Sequence, residues 1–331
     1  MSFIFDTEKC AHCQYEHCME ERRQNSSGTS QAKFLLKLQV ALACTFDDFV
    51  PGSDRDPNPK REYFSYLQQF KTNIINAGRY LFGDDFSLNA PAMAKLEDEI
   101  FEALEATTLW NAAAAWNNFM EHGRWSSQLL NRPLGAEPRP DRKIALVRLP
   151  RNYDATLLFD EATRARMSQF ENALSRRDME LKLTCPDIVG IRIKPTAPSD
   201  TFLNYVAAFT ADSIKLMENA YKSLEGMVSG PDFLFAVSVK KNVLGHQLYQ
   251  PLFEANVLKY LVQEVLNGPA FRFYVHVGSS ESPGIEGRYK AASLYSLLKG
   301  SEPQRAVDRF HTSESPLRTA QVILDDFPLF P

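Results

Sequence analysis

Several things are missing from this chain, and each absence narrows what it can be. No stretch approaches the ~18 consecutive apolar residues of a membrane-spanning helix, so no membrane partner is expected. The opening residues, MSFIFDTEKC, lack a basic segment followed by an apolar core, so no secretory signal is read there. The expected compartment is therefore the cytoplasm, where disulfides are rare. There is no excess of basic charge: the net charge is −4, which argues against a nonspecific polyanion binder. A locally basic cleft stays open, because a protein that gathers carboxylates around a metal can be acidic overall and still contact phosphates. Internal repeats and low-complexity tracts are absent. What remains, 44% hydrophobic and 24% charged residues over 331, is the composition of a globular protein.

Three of the five cysteines fall close together, Cys10, Cys13 and Cys18 in CAHCQYEHC, with His12 and His17 between them. Cys-x2-Cys is a zinc half-site spacing. No second Cys-x2-Cys follows, so a complete zinc ribbon or finger cannot be written. Two readings stand: reduced thiols on a small N-terminal helix, or a Zn²⁺ staple through Cys10, Cys13, Cys18 and His17.

Residues 1–30 are polar and read as an N-terminal Cys/His-containing arm, with RQNSSGTSQ as a flexible link. Residues 31–331 read as one domain in three parts: a mainly helical part to 140, an α/β core over 141–300, and a helical or loop segment over 301–331. Apolar recurrence at helical spacing marks 33–46, 63–82, 93–121, 161–177, 211–225, 251–266 and 289–300. Pro251 would open its helix at the first position. Strand patterns cover 143–150, 186–195, 233–241 and 270–279. Strands alternate with helices from about 143 onward, which predicts an α/β fold with a central mixed β-sheet flanked by helices. Trp110, Trp116 and Trp125 are expected to pack rather than stack on bases.

The strand FAVSVKKN ends in two lysines, and a buried charge is costly unless paired. Side chains alternate across a strand, so Ser238 and Lys240 share one face while Val237, Val239 and Lys241 share the other. A lysine at a strand end beside carboxylates suits metal-dependent phosphodiester hydrolysis. The carboxylates hold Mg²⁺, the metal polarises the phosphate and generates hydroxide, and the ammonium orients water or offsets developing charge. This is the layout of the PD-(D/E)-x-K nuclease superfamily, but the acid expected two residues before the lysine is replaced by Ser238.

Three Pro-Asp dipeptides could supply a ligand. Asp232 lies eight residues before Lys240 on the same strand, roughly 26 Å away, too far to share a metal. Asp141, between Pro and Arg, reads as a turn residue. Asp187 begins a strand that could lie beside that of Lys240 and is the best candidate. Glu254, fourteen residues after Lys240 and near a helix start, can replace the missing acid, since a helix N-terminus favours a carboxylate.

Taken together, Pro186-Asp187, Lys240 and Glu254 resemble the CCGG-family restriction endonucleases, in which the active-site glutamate has moved from the strand to the following helix. The resemblance is closest to SgrAI-type enzymes. It is carried by EIFEALEATTLWNAAAAWNNFM (99–120), LYQPLFEANV (248–257), KAASLYSL (290–297) and, more weakly, TFDDFVPG (45–52). It implies a restriction-endonuclease-like core, with Asp187 and Glu254 as Mg²⁺ ligands, two ions per site, Lys240 as the catalytic lysine, and Glu102 as a further acidic site residue. It also implies cleavage of double-stranded DNA at a short palindromic site by a homodimer, higher assemblies being open, and a cognate DNA methyltransferase as companion.

The sequence departs from that family where CCGG is read. The expected arginine-rich segment is here KNVLGHQ (241–247), without arginine. His246 and Gln247 can still reach base edges. Lys33, Lys95 and Lys241 are candidate DNA contacts; Lys95 lies seven residues before Glu102 on one helix face. Arg124, Arg148 and Arg151 could also position phosphates. Two other readings compete with a restriction enzyme: a repair or structure-specific nuclease with the same core, and a noncatalytic, zinc-stapled DNA-binding protein.

Overall fold

Four of the five strands of the main sheet lie where the sequence pattern places them. In the computed structural model, β3 (Ile144–Arg148), β4 (Ile188–Arg192), β5 (Phe233–Val243), β6 (Arg272–Ser280) and β7 (Arg309–Thr312) form one sheet in the order β3-β4-β5-β6-β7. β4 runs antiparallel to both of its neighbours, β3 and β5, and β5, β6 and β7 run parallel. The structure describes residues 7–11, 17–26, 29–46, 48–180, 185–194, 199–243, 249–268, 270–280, 284–290, 293, 297 and 303–330.

Seven helices matter for the site: α1 (Thr7–Ala11), α2 (Leu38–Thr45), α3 (Tyr63–Phe82), α4 (Ala90–His122), α5 (Glu161–Ser175), α6 (Ala211–Asn219) and α7 (Tyr249–Tyr260). A further helix, Pro316–Asp326, packs along α4. No helix among the described residues is long and apolar enough to cross a membrane.

α4 is the spine of the molecule. Asn89 starts it by accepting the Ala92 N–H, and Gly123, at φ 70°, stops it in the left-handed conformation that glycine tolerates. Its second half is buried almost all round, Ala112 through Ala115 letting neighbours approach closely. Polar side chains then lock it in place. Asn117 donates to the carbonyls of Ile144 and Phe202 and accepts from the Ile144 N–H, and Trp116 donates to the Arg142 carbonyl. A buried amide must satisfy both its ends, and here both ends tie α4 to the start of β3. Trp110 and Trp116 are buried and Trp125 half-buried, each bonding a backbone carbonyl, as packing residues do.

The sheet's pleat sorts the side chains of β5. Phe235 packs on Phe327 and Phe330 beyond the C-terminal helix, and Lys241 reaches Glu97 of α4, so the odd-numbered residues face those helices. Ser238 and Lys240 point to the other face.

Four expectations need correction. The link at 23–31 lies within a hairpin, β1 (Met19–Ser26) against β2 (Thr29–Leu36), with Ser26 opposite Thr29. Backbone pairing rather than apolar alternation defines it, which is why composition alone read it as loose. The helix expected from 33 starts only at Leu38, because Lys33 through Leu36 belong to β2. The segment after 300 supplies the edge strand β7, whose four residues are too few to show a period. Pro251 is the third residue of α7 rather than the first, still within the turn whose N–H groups need no helical partner. Most of the helix expected at 289–300 lies outside the described residues.

Candidate active site

Asp187 sits one residue before β4. β4 and β5 pair from Ile188 opposite Val237 to Gly190 opposite Phe235, with a register shift before Ile191, and on the near side of Ile188 the Asp187 carboxylate takes over: its Oδ2 accepts the N–H of Val239 at 2.7 Å. The side chain thus continues the ladder that the backbone leaves. On the other side the Asp187 carbonyl accepts from the Leu149 N–H of the chain leaving β3, at 3.0 Å. Asp187 is held by both neighbouring chains. Lys240, the residue after Val239, then brings its ammonium to 3.5 Å from the same Oδ2.

Glu254 lies in the second turn of α7 and is buried, 3% exposed. Gln250, one turn earlier on the same face, donates to its Oε1 at 2.9 Å. The second turn lies outside the reach of the helix dipole, so burial and Gln250, rather than the helix end, set its surroundings. Glu102 projects from α4, and its Oε1 accepts from Arg148 Nε, at the end of β3, at 2.7 Å.

The structure brings these side chains to one place. Glu102, Asp187 and Glu254 line a single cleft of about 580 Å³, together with Gln250, Cys185 and the loop from Leu149 to Ala155 that follows β3. Burial pushes the Asp187 carboxyl above its ordinary value; the Lys240 ammonium opposes that and the charge of Glu102 adds to it. Burial likewise pushes the Cys185 thiol up to about 12, helped by the charges of Asp187 and Glu254. The thiol is protonated at neutral pH and is no nucleophile.

Negative groups gathered in a partly closed cleft favour a bound cation. The donors are carboxylate oxygens, which suit a hard ion such as Mg²⁺. No three metal-capable side chains form a ready-made cage among the described residues.

The rejected aspartates are engaged elsewhere. Asp232 accepts from Ser229 and pairs with Lys194, and Asp141 pairs with Arg139 in a turn. Lys241 is in an ion pair with Glu97, which also holds Lys71 at 2.5 Å. Burial pushes the Glu97 carboxyl up, but the two ammonium groups outweigh it and hold it below its ordinary value. Lys95 is exposed, 3.9 Å from Glu99. His246, Gln247 and the side chain of Lys33 lie outside the described residues. So does Cys13, while Cys10 and Cys18 are buried and His17 is exposed.

Sequence reasoning missed the cleft's wall, the loop Leu149–Ala155, and the pairing of Arg148 with Glu102. The loop had a usable signal, since it follows a strong strand pattern, and loops that follow strands on a rigid scaffold commonly line sites. The ion pair joins residues 46 positions apart and had none.

Comparison with known proteins identifies the family. The sequence profile of the Cfr10I/Bse634I restriction endonucleases matches residues 58–325. The type IIF restriction endonuclease Bse634I, crystallised with cognate DNA, superposes with a TM-score of 0.75 at 19% identity, covering 94% of this chain and 97% of that one. A second structure of the Bse634I restriction endonuclease gives 0.73 at 19%, with the same coverage. No curated protein sequence matches the chain. The profile spans most of the chain and includes Glu102, Asp187, Lys240 and Glu254: the chain belongs to the Cfr10I/Bse634I restriction endonuclease family and is a site-specific DNA endonuclease.

Proposed function

We propose that this endonuclease is Mg²⁺-dependent, with Asp187 and Glu254 as the metal ligands, Lys240 as the catalytic lysine and Glu102 as a further acidic group at the site, two ions being held per site. The observation that carries the reading is the convergence of Asp187, Glu254 and Glu102 on one cleft, with the Lys240 ammonium 3.5 Å from Asp187. When bound, Mg²⁺ supplies polarisation of the scissile phosphate and a water acidic enough to attack it. The chain's own residues do the rest. Val239 fixes the carboxylate of Asp187, Gln250 orients Glu254, and Lys240 offers protons to the attacking water or to charge developing on the phosphate.

The substrate is double-stranded DNA with a short palindromic site, cut by a homodimer whose two-fold axis matches that of the site. Lys95, Lys241, Lys33, His246 and Gln247 are the proposed DNA contacts. Residues 241–247 hold no arginine to bond O6 and N7 of guanine together, so the CCGG specificity of the SgrAI-type resemblance is not carried over. Action in the cytoplasm, with a cognate methyltransferase protecting the host's own sites, completes the proposal. Zn²⁺ at Cys10, Cys13, Cys18 and His17 is a separate structural proposal, checked by metal content of the purified protein.

Plasmid digestion with and without Mg²⁺, followed by sequencing of the ends, tests the reading. Discrete Mg²⁺-dependent fragments with one shared end sequence are expected. Intact DNA would point to a noncatalytic binder, and smears or junction-dependent nicks to a repair nuclease.

A further inference from the structure

Arg148 reads in the sequence as one of several basic residues that could hold a phosphate. We propose instead that it is a positioning residue: it grips Glu102 from behind the cleft and so presets that carboxylate beside the metal ligands Asp187 and Glu254. The inference rests on the proposed metal site.

Three observations carry it. First, the contact is short and well oriented, Nε to Oε1 at 2.7 Å, with Glu102 only 12% and Arg148 28% exposed. Second, the two residues face different spaces. Glu102 lines the cleft with Asp187 and Glu254, whereas Arg148 lines a small cavity of about 50 Å³ beneath α4, among Leu42, Trp110 and Met217, and is not among the residues lining the cleft. Third, the frame between them is rigid. Arg148 ends β3 opposite Ile188, one residue from Asp187, and β3 is tied to α4 through Asn117 and Trp116. A side chain clamped at one oxygen on such a frame presents its carboxylate in one orientation.

The arrangement resembles the outer-shell partners that orient metal ligands, whose loss costs roughly ten- to hundredfold in metal affinity. Coulomb's law alone argues the other way: removing a cation from beside carboxylates should attract a metal more strongly. The two effects separate cleanly by substitution. Lysine keeps the charge but loses the planar, preorganised guanidinium.

The test is calorimetric titration of Mn²⁺ into the DNA-free protein: wild type, D187N, R148A, R148K, E102Q and the R148A/E102Q double variant, each checked for folding by circular dichroism. The wild type is expected to show a site that D187N abolishes. R148A should bind Mn²⁺ there roughly ten- to hundredfold more weakly, with R148K in between. In the E102Q background R148A should add nothing, because Arg148 acts through Glu102. Should R148A fold poorly, R148K against wild type, with and without E102Q, carries the comparison. Equal or tighter binding by R148A overturns the proposal, as does a full additional loss in the double variant. A drop in metal-free DNA affinity with a shallower salt dependence would make Arg148 a phosphate contact and overturn it too. A wild type with no Asp187-dependent site would instead remove the metal reading itself, and the inference with it.

Discussion

Lys240 and Lys241 are neighbours on β5, and the pleat sends them to opposite sides of the sheet. Lys241 meets Glu97 on α4, which is also held by Lys71, so two ammonium groups share one carboxylate. Lys240 meets Asp187, and Glu102 and Glu254 open on the same cleft, which Arg151 and Asp154 also line. A lysine beside a carboxylate is therefore not a site in itself. The difference lies in what the surroundings leave unbalanced. On the α4 side the charges pair among themselves over an interior sealed around His276, whereas the cleft side brings three carboxylates together where a divalent cation would bind.

α4 repeats the contrast one turn apart. Glu102 reaches the cleft, while Glu105 is fully buried against His276, its Oε2 3.2 Å from Nδ1. One glutamate serves the site and the other the core. Substitutions should divide the same way.

The largest effect is expected at the ligands. D187N and E254Q should each lower Mg²⁺-dependent plasmid cleavage by about three orders of magnitude or more, measured under single-turnover conditions, with little change in melting temperature. E105A, by contrast, should cost about 1–3 kcal/mol of stability, because it leaves the buried His276 ring nitrogen without its partner. Urea unfolding would read that loss, and a cost no greater than that of E102A would erase the distinction between the two glutamates.

A smaller effect comes from His311, which contacts His276 on the sealed side. Burial, with the nearby His276, Arg318 and Arg309, pulls its pKa down to about 3. In the unfolded chain it would titrate near 6.5. Between those values only the unfolded chain binds the proton, so this contribution to stability is complete above about pH 6.5 and falls as the pH drops toward 3. H311Q should flatten the decline of melting temperature between pH 6.5 and 4.5; an unchanged slope would remove His311 as its source. The smallest effect is expected for K241A. It should cost ~1 kcal/mol or less, since Lys71 still holds Glu97, and should weaken DNA binding by less than about tenfold.

The sequence made the cleft side legible because its rules are local. Alternation along β5 separates Lys240 from Lys241, the extended length from Asp232 to Lys240 excludes that aspartate, and a short connection brings Glu254 back. Glu102 was another matter: on its own helix it looks like any solvated glutamate, and only resemblance to a family singled it out. The sealed side was illegible. Glu105 and His276 are 171 residues apart, and neither flank signals the other. The hairpin β1–β2 and the strand β7 escaped for a related reason, since backbone pairing to a neighbour, rather than a side-chain period, defines them.

The most direct measurement compares K240A with K241A in single-turnover cleavage of one plasmid at saturating enzyme and Mg²⁺, with DNA binding followed in parallel. The account predicts that K240A loses cleavage by orders of magnitude while still binding its site, and that K241A cleaves within a few-fold of wild type. Full cleavage by K240A, or a loss at K241A as large as at K240A, would contradict it.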